Sequence, residues 1–363
     1  MIASNEPISR VELAGRTGLT QQTITNIANR LLLDRVITEG EPTVRSGGRK
    51  PVPLFINRES MYAIGLELAG TYIRGALYNF RNDCLGVSER SVRQYDNELE
   101  VMDILTSVIA PLLERTPDRG GLKGIGISVQ GLVDAKGGVV LRYPGLEWKE
   151  HPLQELLEDK YGFPVYLEND VNLLGLIENM NGLLVDSKDN LTIKMDYGIG
   201  GSIAADKRLV TGSSFVAGEF GHYKAFAGDD AYPCHCGSKG CLTTLASESG
   251  MIKNQGWTLE RFASLYAAGD RAAVALYGKI ANATSIALSN LITFLNPDHV
   301  LVTGAVVNAL GAGFVRHLRN SIQENVPRTC KHVRIVHTGQ TPDETKLAVG
   351  LVMQRYFEIP DVF

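Results

Sequence analysis

Two stretches near the N-terminus repeat apolar residues at the spacing of one helix face. In the first, Ser9 and Glu12 form a capping-box pattern, and Gly18 predicts where the helix ends. Thr20 then precedes a second stretch and can cap it. The apolar positions of that second stretch are Ile24, Ile27, Ala28, Leu31 and Leu32. The pattern predicts two helices joined by a short turn.

The second predicted helix carries amides and hydroxyls opposite its apolar stripe, and residues 36–57 follow with β-prone ends around a Gly-rich tip. Gln and Asn can pair with adenine in a major groove, and an arginine at the tip can enter a narrow minor groove. We therefore expect a winged helix-turn-helix over residues 1–56. The expected DNA contacts are Thr20, Gln21, Gln22, Thr25, Asn26 and Arg49. A small helical domain with a solvated polar face, followed by a flexible linker, is the alternative.

From about Tyr62 the chain alternates between predicted strands and helices. The predicted strands lie in residues 63–80, 124–134, 165–172, 191–205 and 299–307, and the predicted helices in 103–116, 273–295 and 346–357. Two glycine-containing segments, ELAGT and DYGIGGS, each open a strand-turn-strand unit. The repetition predicts an α/β body of two related lobes that enclose a cleft.

Composition narrows the class of protein. The 363 residues are 44% hydrophobic, and no run of about 18 apolar residues is present, which argues against a membrane span. The N-terminus lacks the pattern of a secretory signal, so we expect a cytoplasmic protein. Residues 1–58 contain eight Lys/Arg and five Asp/Glu, whereas the whole chain has a net charge of −4. A mildly basic head before an acidic body permits contact with nucleic acid.

Three of the five cysteines fall within eight residues, and a histidine lies twelve positions upstream of them. One nitrogen and three thiolates suit a tetrahedral, structural Zn²⁺. The expected ligands are His222, Cys234, Cys236 and Cys241, with His235 as an alternative nitrogen. Buried free thiols, or a disulfide in an exported protein, are the other readings. Cys84 and Cys330 are expected to be core thiols.

Several of these motifs together resemble the ROK family of repressors, open reading frames and sugar kinases. They are GGRKP, YPGLEW, LEND, GIGGS, GEFGH and CHCGSKGC, in that order along the chain. The resemblance implies an actin-like, sugar-kinase body with two ribonuclease H-like lobes behind the winged helix-turn-helix. The first lobe would comprise 57–169 and 345–363. The second would comprise 170–344, with the zinc site and the oligomerisation helices of a homodimer or homotetramer.

Sugar hydroxyls both donate and accept hydrogen bonds, so their binding sites need fixed carboxylates, amides and imidazoles. The candidate effector contacts are Asn169, Asp170, Glu219 and His222. By resemblance to the kinases of the family, Asp170 matches the general base and the other three match sugar contacts. A zinc-bound His222 would couple the metal to the ligand.

The phosphate-binding loops depart from the pattern of the kinases. The family's Asp-x-Gly-Gly-Thr is ELAGT here, beginning at Glu67; its Gly-Thr-Gly is DYG, beginning at Asp196; and its Gly-Gly-Gly is GAV, beginning at Gly304. Added side chains and negative charge oppose nucleotide binding, so we expect no ATP binding and assign no catalytic residue. Thr243 replaces a family glutamate and Gly145 a family asparagine, so the identity of the sugar does not follow from the family.

The pattern as a whole predicts a repressor of genes for carbohydrate uptake or catabolism. Its partners would be a double-stranded DNA operator and a sugar effector bound between the lobes, and its cofactor structural Zn²⁺. An ATP-dependent sugar kinase, and a regulator controlled by a protein partner, are the alternatives.

Overall fold

The computed structural model describes residues 2–41, 51–92, 98–143 and 148–357. The chain forms two compact units. The first comprises Met1–Gly131, Ala135–Leu167 and Glu344–Phe357, and the second, among the described residues, Leu132–Asp134 and Glu168–Asp343. The N-terminal head therefore belongs to the same unit as the first lobe.

The head contains three helices and three short strands. They are α1 (Ile2–Asn5), β1 (Ile8–Ser9), α2 (Arg10–Thr17), α3 (Gln21–Leu33), β2 (Ile37–Glu39) and β3 (Pro53–Ile56), with the strands in the antiparallel order β1-β3-β2. The predicted capping box at Ser9 and the predicted cap at Thr20 are both present, and α2 ends at Gly18 with φ of 69°. Two helices followed by an antiparallel pair of strands are consistent with the predicted winged helix-turn-helix.

The rest of the first unit is built on a five-stranded sheet in the order β11-β7-β4-β5-β6. Its elements and the connecting ones are β4 (Tyr62–Ala69), β5 (Tyr72–Asn79), β6 (Cys84–Ser91), α4 (Glu98–Arg115), β7 (Leu122–Val129), β8 (Leu132–Asp134, in the second unit), β9 (Val139–Arg142), β10 (Lys149–His151), α5 (Leu153–Tyr161) and β11 (Val165–Asn169). Strands β4, β5 and β6 are antiparallel, and β7 runs parallel to β4.

The C-terminal helix, Glu344–Tyr356, packs on this sheet at two glycines. A Cβ atom at Gly65 would lie 1.8 Å from the carbonyl oxygen of Thr345, and one at Gly126 would lie 1.9 Å from that of Ala348. Both distances are far below van der Waals contact, so the helix backbone lies directly on the strands only because these two residues lack side chains.

The second unit contains a sheet of the same topology, in the order β14-β13-β12-β15-β16. Its elements are α6 (Asp170–Asn181), β12 (Asn190–Met195), β13 (Ile199–Ala205), β14 (Arg208–Leu209), α7 (Thr243–Ala246), α8 (Glu248–Gln255), α9 (Leu259–Ala267), α10 (Arg271–Leu295), β15 (His299–Thr303), α11 (Ala305–Asn325) and β16 (Arg334–His337). As in the first unit, three antiparallel strands are followed by a parallel one. The predicted pair of related α/β lobes is therefore confirmed.

Two of the strands are shorter in the structure than the sequence predicts. Residues 165–172 and 299–307 each begin as a strand, but β11 ends at Asn169 and β15 at Thr303, and helices α6 and α11 follow. The side chain of Asn169 caps α6, and Gly304 turns the chain into α11 with φ of 108°. Strand and helix residues are about equally buried at both changes, so no shift from a buried to an exposed pattern marks them.

One expectation about the cysteines was wrong. Cys84 is exposed on β6, at the edge of the first sheet, whereas Cys330 is buried as expected. Among the described residues, none of the helices is both long enough and apolar enough to span a bilayer.

Candidate functional site

The histidine and the three clustered cysteines meet in the second unit. The ligand atoms of His222, Cys234, Cys236 and Cys241 all lie within 4.8 Å of one another. The Sγ atoms of Cys236 and Cys241 are 3.7 Å apart, and Nδ1 of His222 is 3.5 Å from Sγ of Cys234. Bonds of 2.0 to 2.3 Å to a tetrahedral Zn²⁺ imply edges of about 3.8 Å or slightly less. The spacing of the four groups therefore fits a metal ion.

His222, rather than His235, completes this group. His235 is exposed, and its Nδ1 lies 3.8 Å from Sγ of Cys234. Its ring instead stacks edge-on against that of His222, with 5.0 Å between the ring centroids. His235 thus lies beside the cluster, and the choice of His222 as the nitrogen ligand stays a prediction.

The thiols of the cluster differ in their electrostatic surroundings. Burial raises the pKa of Cys234 to about 11, whereas the backbone N–H of Ser238 lowers the pKa of Cys236. The ammonium of Lys224 lies 2.9 Å from Sγ of Cys241. Three thiolates and a divalent ion would leave one net negative charge, which this ammonium can balance.

His222 also connects the cluster to Glu219. Its Nε2 lies 3.5 Å from a carboxylate oxygen of Glu219, on the side of the ring opposite the cysteines. Both residues belong to a short turn of 3-10 helix, Phe220–His222, and its N-terminal cap. A metal ion on Nδ1 would therefore fix the imidazole that faces Glu219.

Asn169 and Asp170 lie at the start of α6, in the same unit. The amide oxygen of Asn169 accepts the backbone N–H groups of Val171 and Asn172 at 3.0 and 3.1 Å, and its Nδ2 donates to Asp170 at 3.2 Å. Asn169 thus caps the helix that carries Asp170. Its amide orients the carboxylate, a role that the sequence did not indicate.

Two neighbouring glycines of β13 bring both segments of the candidate effector site onto one strand. A Cβ atom at Gly200 would lie 2.7 Å from a methyl group of Val171 in α6. One at Gly201 would lie 2.8 Å from the carbonyl oxygen of Gly218, just before Glu219. Consecutive residues of a strand point to opposite faces of the sheet, so the GIGGS motif lets the first turn of α6 pack closely on one face of β13 and the GEFGH segment on the other.

A charged residue that the sequence analysis missed also contacts Asp170. The ammonium of Lys194, on β12, lies 3.0 Å from Oδ2 of Asp170 and 3.7 Å from Oδ2 of Asp196. An ion pair with a lysine holds the Asp170 carboxylate as a charged acceptor. A single lysine inside the otherwise uncharged strand NLTIKM was the available signal.

The two acidic residues of the altered loops are both hydrogen-bonded. Glu67 is buried and accepts the hydroxyl of Tyr72 at 2.7 Å, and burial followed by this bond raises the pKa of Tyr72. Asp196 accepts the backbone N–H of Ala305, the first residue of α11. Thr243 is buried at the start of α7.

The expected DNA-contacting side chains lie at the start of α3. Thr20, Gln21, Gln22 and Asn26 are exposed, and Nε2 of Gln22 donates to Oδ1 of Asn26 at 3.1 Å. Thr25 is half-buried and donates to the backbone oxygen of Gln21. The predicted contact Arg49 and the family departure Gly145 lie outside the described residues.

The sequence was compared with those of known protein families. The model of the ROK family matches residues 63–348. The chain belongs to the ROK family. The match begins after the head and covers both lobes, so the family assignment rests on the body.

Individual ROK proteins resemble the chain over greater lengths. The xylose repressor of Caldicellulosiruptor bescii is 28% identical over 343 residues, which cover 89% of this chain and 85% of that one. A solved ROK family transcriptional regulator, a homologue of the Escherichia coli Mlc protein, has a TM-score of 0.77 at 24% identity and covers 99% and 96% of the two chains. The ROK glucokinase of Streptomyces griseus, solved with glucose and AMPPNP, has a TM-score of 0.67 at 23% identity over 81% of this chain and 99% of its own.

Proposed function

We propose that this ROK protein is a DNA-binding transcriptional regulator, a repressor of genes for carbohydrate uptake or catabolism that is controlled by a sugar or sugar derivative. The observation that carries the proposal is the winged helix-turn-helix head in front of a sugar-kinase-like body. A relative named as a xylose repressor matches 89% of the chain, and a regulator of the same fold matches 99%. The protein would work in the cytoplasm, where its operator is.

The effector would bind at the two segments that flank β13. Asp170 is an acceptor for sugar hydroxyls that Asn169 orients and Lys194 pairs with, and Glu219 contacts His222. Charged carboxylates form stronger hydrogen bonds with hydroxyls than neutral groups do. The head would read its operator through Thr20, Gln21, Gln22, Thr25, Asn26 and Arg49.

The metal would be a structural Zn²⁺ held by His222 and the three cysteines. Four protein ligands fill a tetrahedral coordination sphere, so no position is left to activate a water molecule. When bound, the ion fixes the loop of the cysteines and the ring of His222. Metal loss should then loosen the effector site through Glu219.

Three contacts support a binding protein rather than a kinase. The buried Glu67 is bonded to Tyr72, Asp196 places a carboxylate at the first N–H of α11, and Lys194 is paired with Asp170. Negative charge along a phosphate path repels a nucleotide, and the ammonium of Lys194 occupies one oxygen of the carboxylate that would have to accept the proton of the sugar hydroxyl. The similarity to the S. griseus glucokinase makes an ATP-dependent sugar kinase the second candidate.

Operator release tests the regulator directly. Operator fragments would be selected from genomic DNA with the purified protein and titrated by fluorescence anisotropy, with and without D-xylose or D-glucose. The Gln22→Ala variant should lose operator affinity, whereas Gln340→Ala, an exposed glutamine of the body, should not. A head that selects no sequence contradicts the proposal.

Calorimetry with the same sugars tests the effector site. Wild-type protein should bind a sugar that changes operator affinity, and Asp170→Asn should abolish that binding, whereas Asp159→Asn, on the exposed face of α5, should keep it. Bound sugar at 100 times its Kd should add about 2.7 kcal/mol of stability. Operator binding that no sugar alters would instead favour control by a protein partner. ATP-dependent phosphorylation of a sugar that requires Asp170 would establish the kinase.

A further inference from the structure

Lys194 is a buried charge in a strand that otherwise has none. All six residues of β12 are buried, and Lys194 is 5% exposed. A buried ammonium destabilises a fold unless acidic partners offset the loss of its hydration. Asp170 at 3.0 Å and Asp196 at 3.7 Å are such partners, so the three side chains form one network of charges.

One end of this network is the candidate effector contact. Oδ2 of Asp170 faces Lys194, and its Oδ1 accepts Nδ2 of Asn169. Each carboxylate oxygen has two lone pairs and can accept a further hydroxyl. Effector hydroxyls that donate to Asp170 would therefore compete with Lys194 for the same negative charge.

The other end is the start of α11. Oδ1 of Asp196 accepts the backbone N–H of Ala305, the first residue of this helix, which is interrupted at Gly311 with φ of 71° and ψ of −170°. The turn before α11 is held tightly, since a Cβ atom at Gly304 would lie 2.4 Å from the carbonyl oxygen of Met195. A carboxylate at this end of a helix is stabilised by the partial positive charge of its free N–H groups.

We propose that Lys194 is a positioning residue for the effector: its ammonium fixes the Asp170 carboxylate and, through Asp196, ties the effector contact to the first turn of α11. The inference rests on the proposed function, because it takes Asp170 as an effector contact. When effector hydroxyls neutralise part of the charge on Asp170, Lys194 interacts more strongly with Asp196, and the first turn of α11 becomes more ordered.

Replacement of Lys194 by methionine, which is similar in length and uncharged, tests this role. Lys194→Met should weaken binding of D-xylose or D-glucose by about 10- to 100-fold in calorimetry. In hydrogen-exchange mass spectrometry, sugar should protect the amides of residues 305–308 in the wild type but not in this variant. Lys188→Met, an exposed lysine of the same unit, is the matched control and should behave as the wild type.

A neutral pair separates positioning from a purely structural role. Asp170→Asn combined with Lys194→Met removes both charges of the closer ion pair and leaves only the partly exposed Asp196, bonded to the N–H of Ala305, so it should regain most of the thermal stability lost in Lys194→Met alone. It should not regain sugar affinity. Asp196→Asn can still accept the N–H of Ala305 but carries no charge, so residues 305–308 should exchange somewhat faster without sugar and the sugar-induced protection should disappear.

The two proposals fail in different ways. Wild-type protein that binds no sugar overturns the proposed effector, and the positioning role falls with it. Wild-type protein that binds sugar while Lys194→Met binds it within about twofold of the same affinity overturns the positioning role alone. Sugar-induced protection of residues 305–308 that persists in Asp196→Asn overturns the link to α11.

Discussion

Cys241 is the most deeply buried of the four candidate metal ligands, and it contacts Lys224. We predict that Cys241→Ser abolishes zinc binding and lowers stability by at least about 3 kcal/mol, because a structural metal contributes its binding energy to folding. Metal content by mass spectrometry and thermal unfolding with a chelator measure both effects. Cys84→Ser, on the exposed edge strand, is the control. Full zinc content in Cys241→Ser would contradict the ligand assignment.

Asp298 makes the stability of the second unit depend on pH. Burial raises the pKa of Asp298. Hydrogen bonds from the backbone of Lys188, from Ser187 and from His299 lower it by more than burial raises it, so the folded pKa lies below the ordinary 3.8. A lowered pKa stabilises the fold above the ordinary value, and this stabilisation is lost as the pH falls through the folded value.

We therefore predict that Asp298→Asn is less stable than the wild type at neutral pH and that the difference shrinks below about pH 4. Urea unfolding across that range measures it. Asp186→Asn, an exposed carboxylate nearby, should instead give a curve parallel to that of the wild type. A constant difference between Asp298→Asn and the wild type would show that the charge is not the cause.

The spacing of the cysteines predicted the cluster because those ligands are close in sequence and share one loop. Lys194 is different, since it reaches Asp170 across 24 positions of the chain. Its role depends on the contact between α6 and β12, which no local pattern reveals. The N-cap role of Asn169 was missed for a related reason: the sequence did not show that a helix begins at Asp170.

Helix ends were predictable where a polar cap interrupts an amphipathic pattern. The caps of α2 and α3 stand out because the head helices are half-exposed. The starts of α6 and α11 lie inside buried segments, where strand and helix residues are buried to a similar degree. The pattern of apolar residues therefore predicted the strands of both sheets, but it did not predict where a helix begins directly after a strand.

The joint between the head and the first lobe depends on one buried carboxylate. Glu6 has a side chain 8% exposed; it accepts the N–H of Ile56 at 2.7 Å and pairs with Arg81, in the turn after β5, at 2.9 Å. An open apolar pocket of about 400 Å³ lies between the head helices and the side chains of Phe80 and Phe357. The polar contacts of Glu6 add to the apolar packing of the head against the first lobe.

We predict that Arg81→Ala destabilises the head by about 1–3 kcal/mol, because Glu6 is left buried without its cation. Faster hydrogen exchange in residues 53–56 and a lower operator affinity should accompany the loss. Arg90→Ala, on the exposed face of β6, should change neither. Exchange in 53–56 that stays at the wild-type rate in Arg81→Ala would show that the ion pair does not hold the head.

The two lobes of the body repeat one sheet topology. The second unit also contains the long helix α10, which exposes large apolar side chains. Phe294 and Ile286, on α10, are 83% and 46% exposed. Large apolar side chains are enriched in protein–protein interfaces. The homodimer or homotetramer stays a prediction, and α10 is the contact that we propose for it.

We predict that Phe294→Asp reduces the mass of the assembly in sedimentation experiments, because a charge in an apolar interface opposes association. Leu156→Ser, an exposed leucine on α5, should leave the assembly unchanged. If Phe294→Asp sediments as the wild type does, α10 is not the contact.

The head shares one apolar cluster with the first lobe, in which Met61 is buried with Ile8 and Leu54, and Phe80 packs against them. A chimera that exchanged residues 1–56 for the head of another regulator would cut through this cluster and separate Glu6 from Arg81. The transplant would have to carry Met61, Phe80 and Arg81 as well. The head is consequently not an independent module, so a change of operator specificity by head exchange has to include residues of the first lobe.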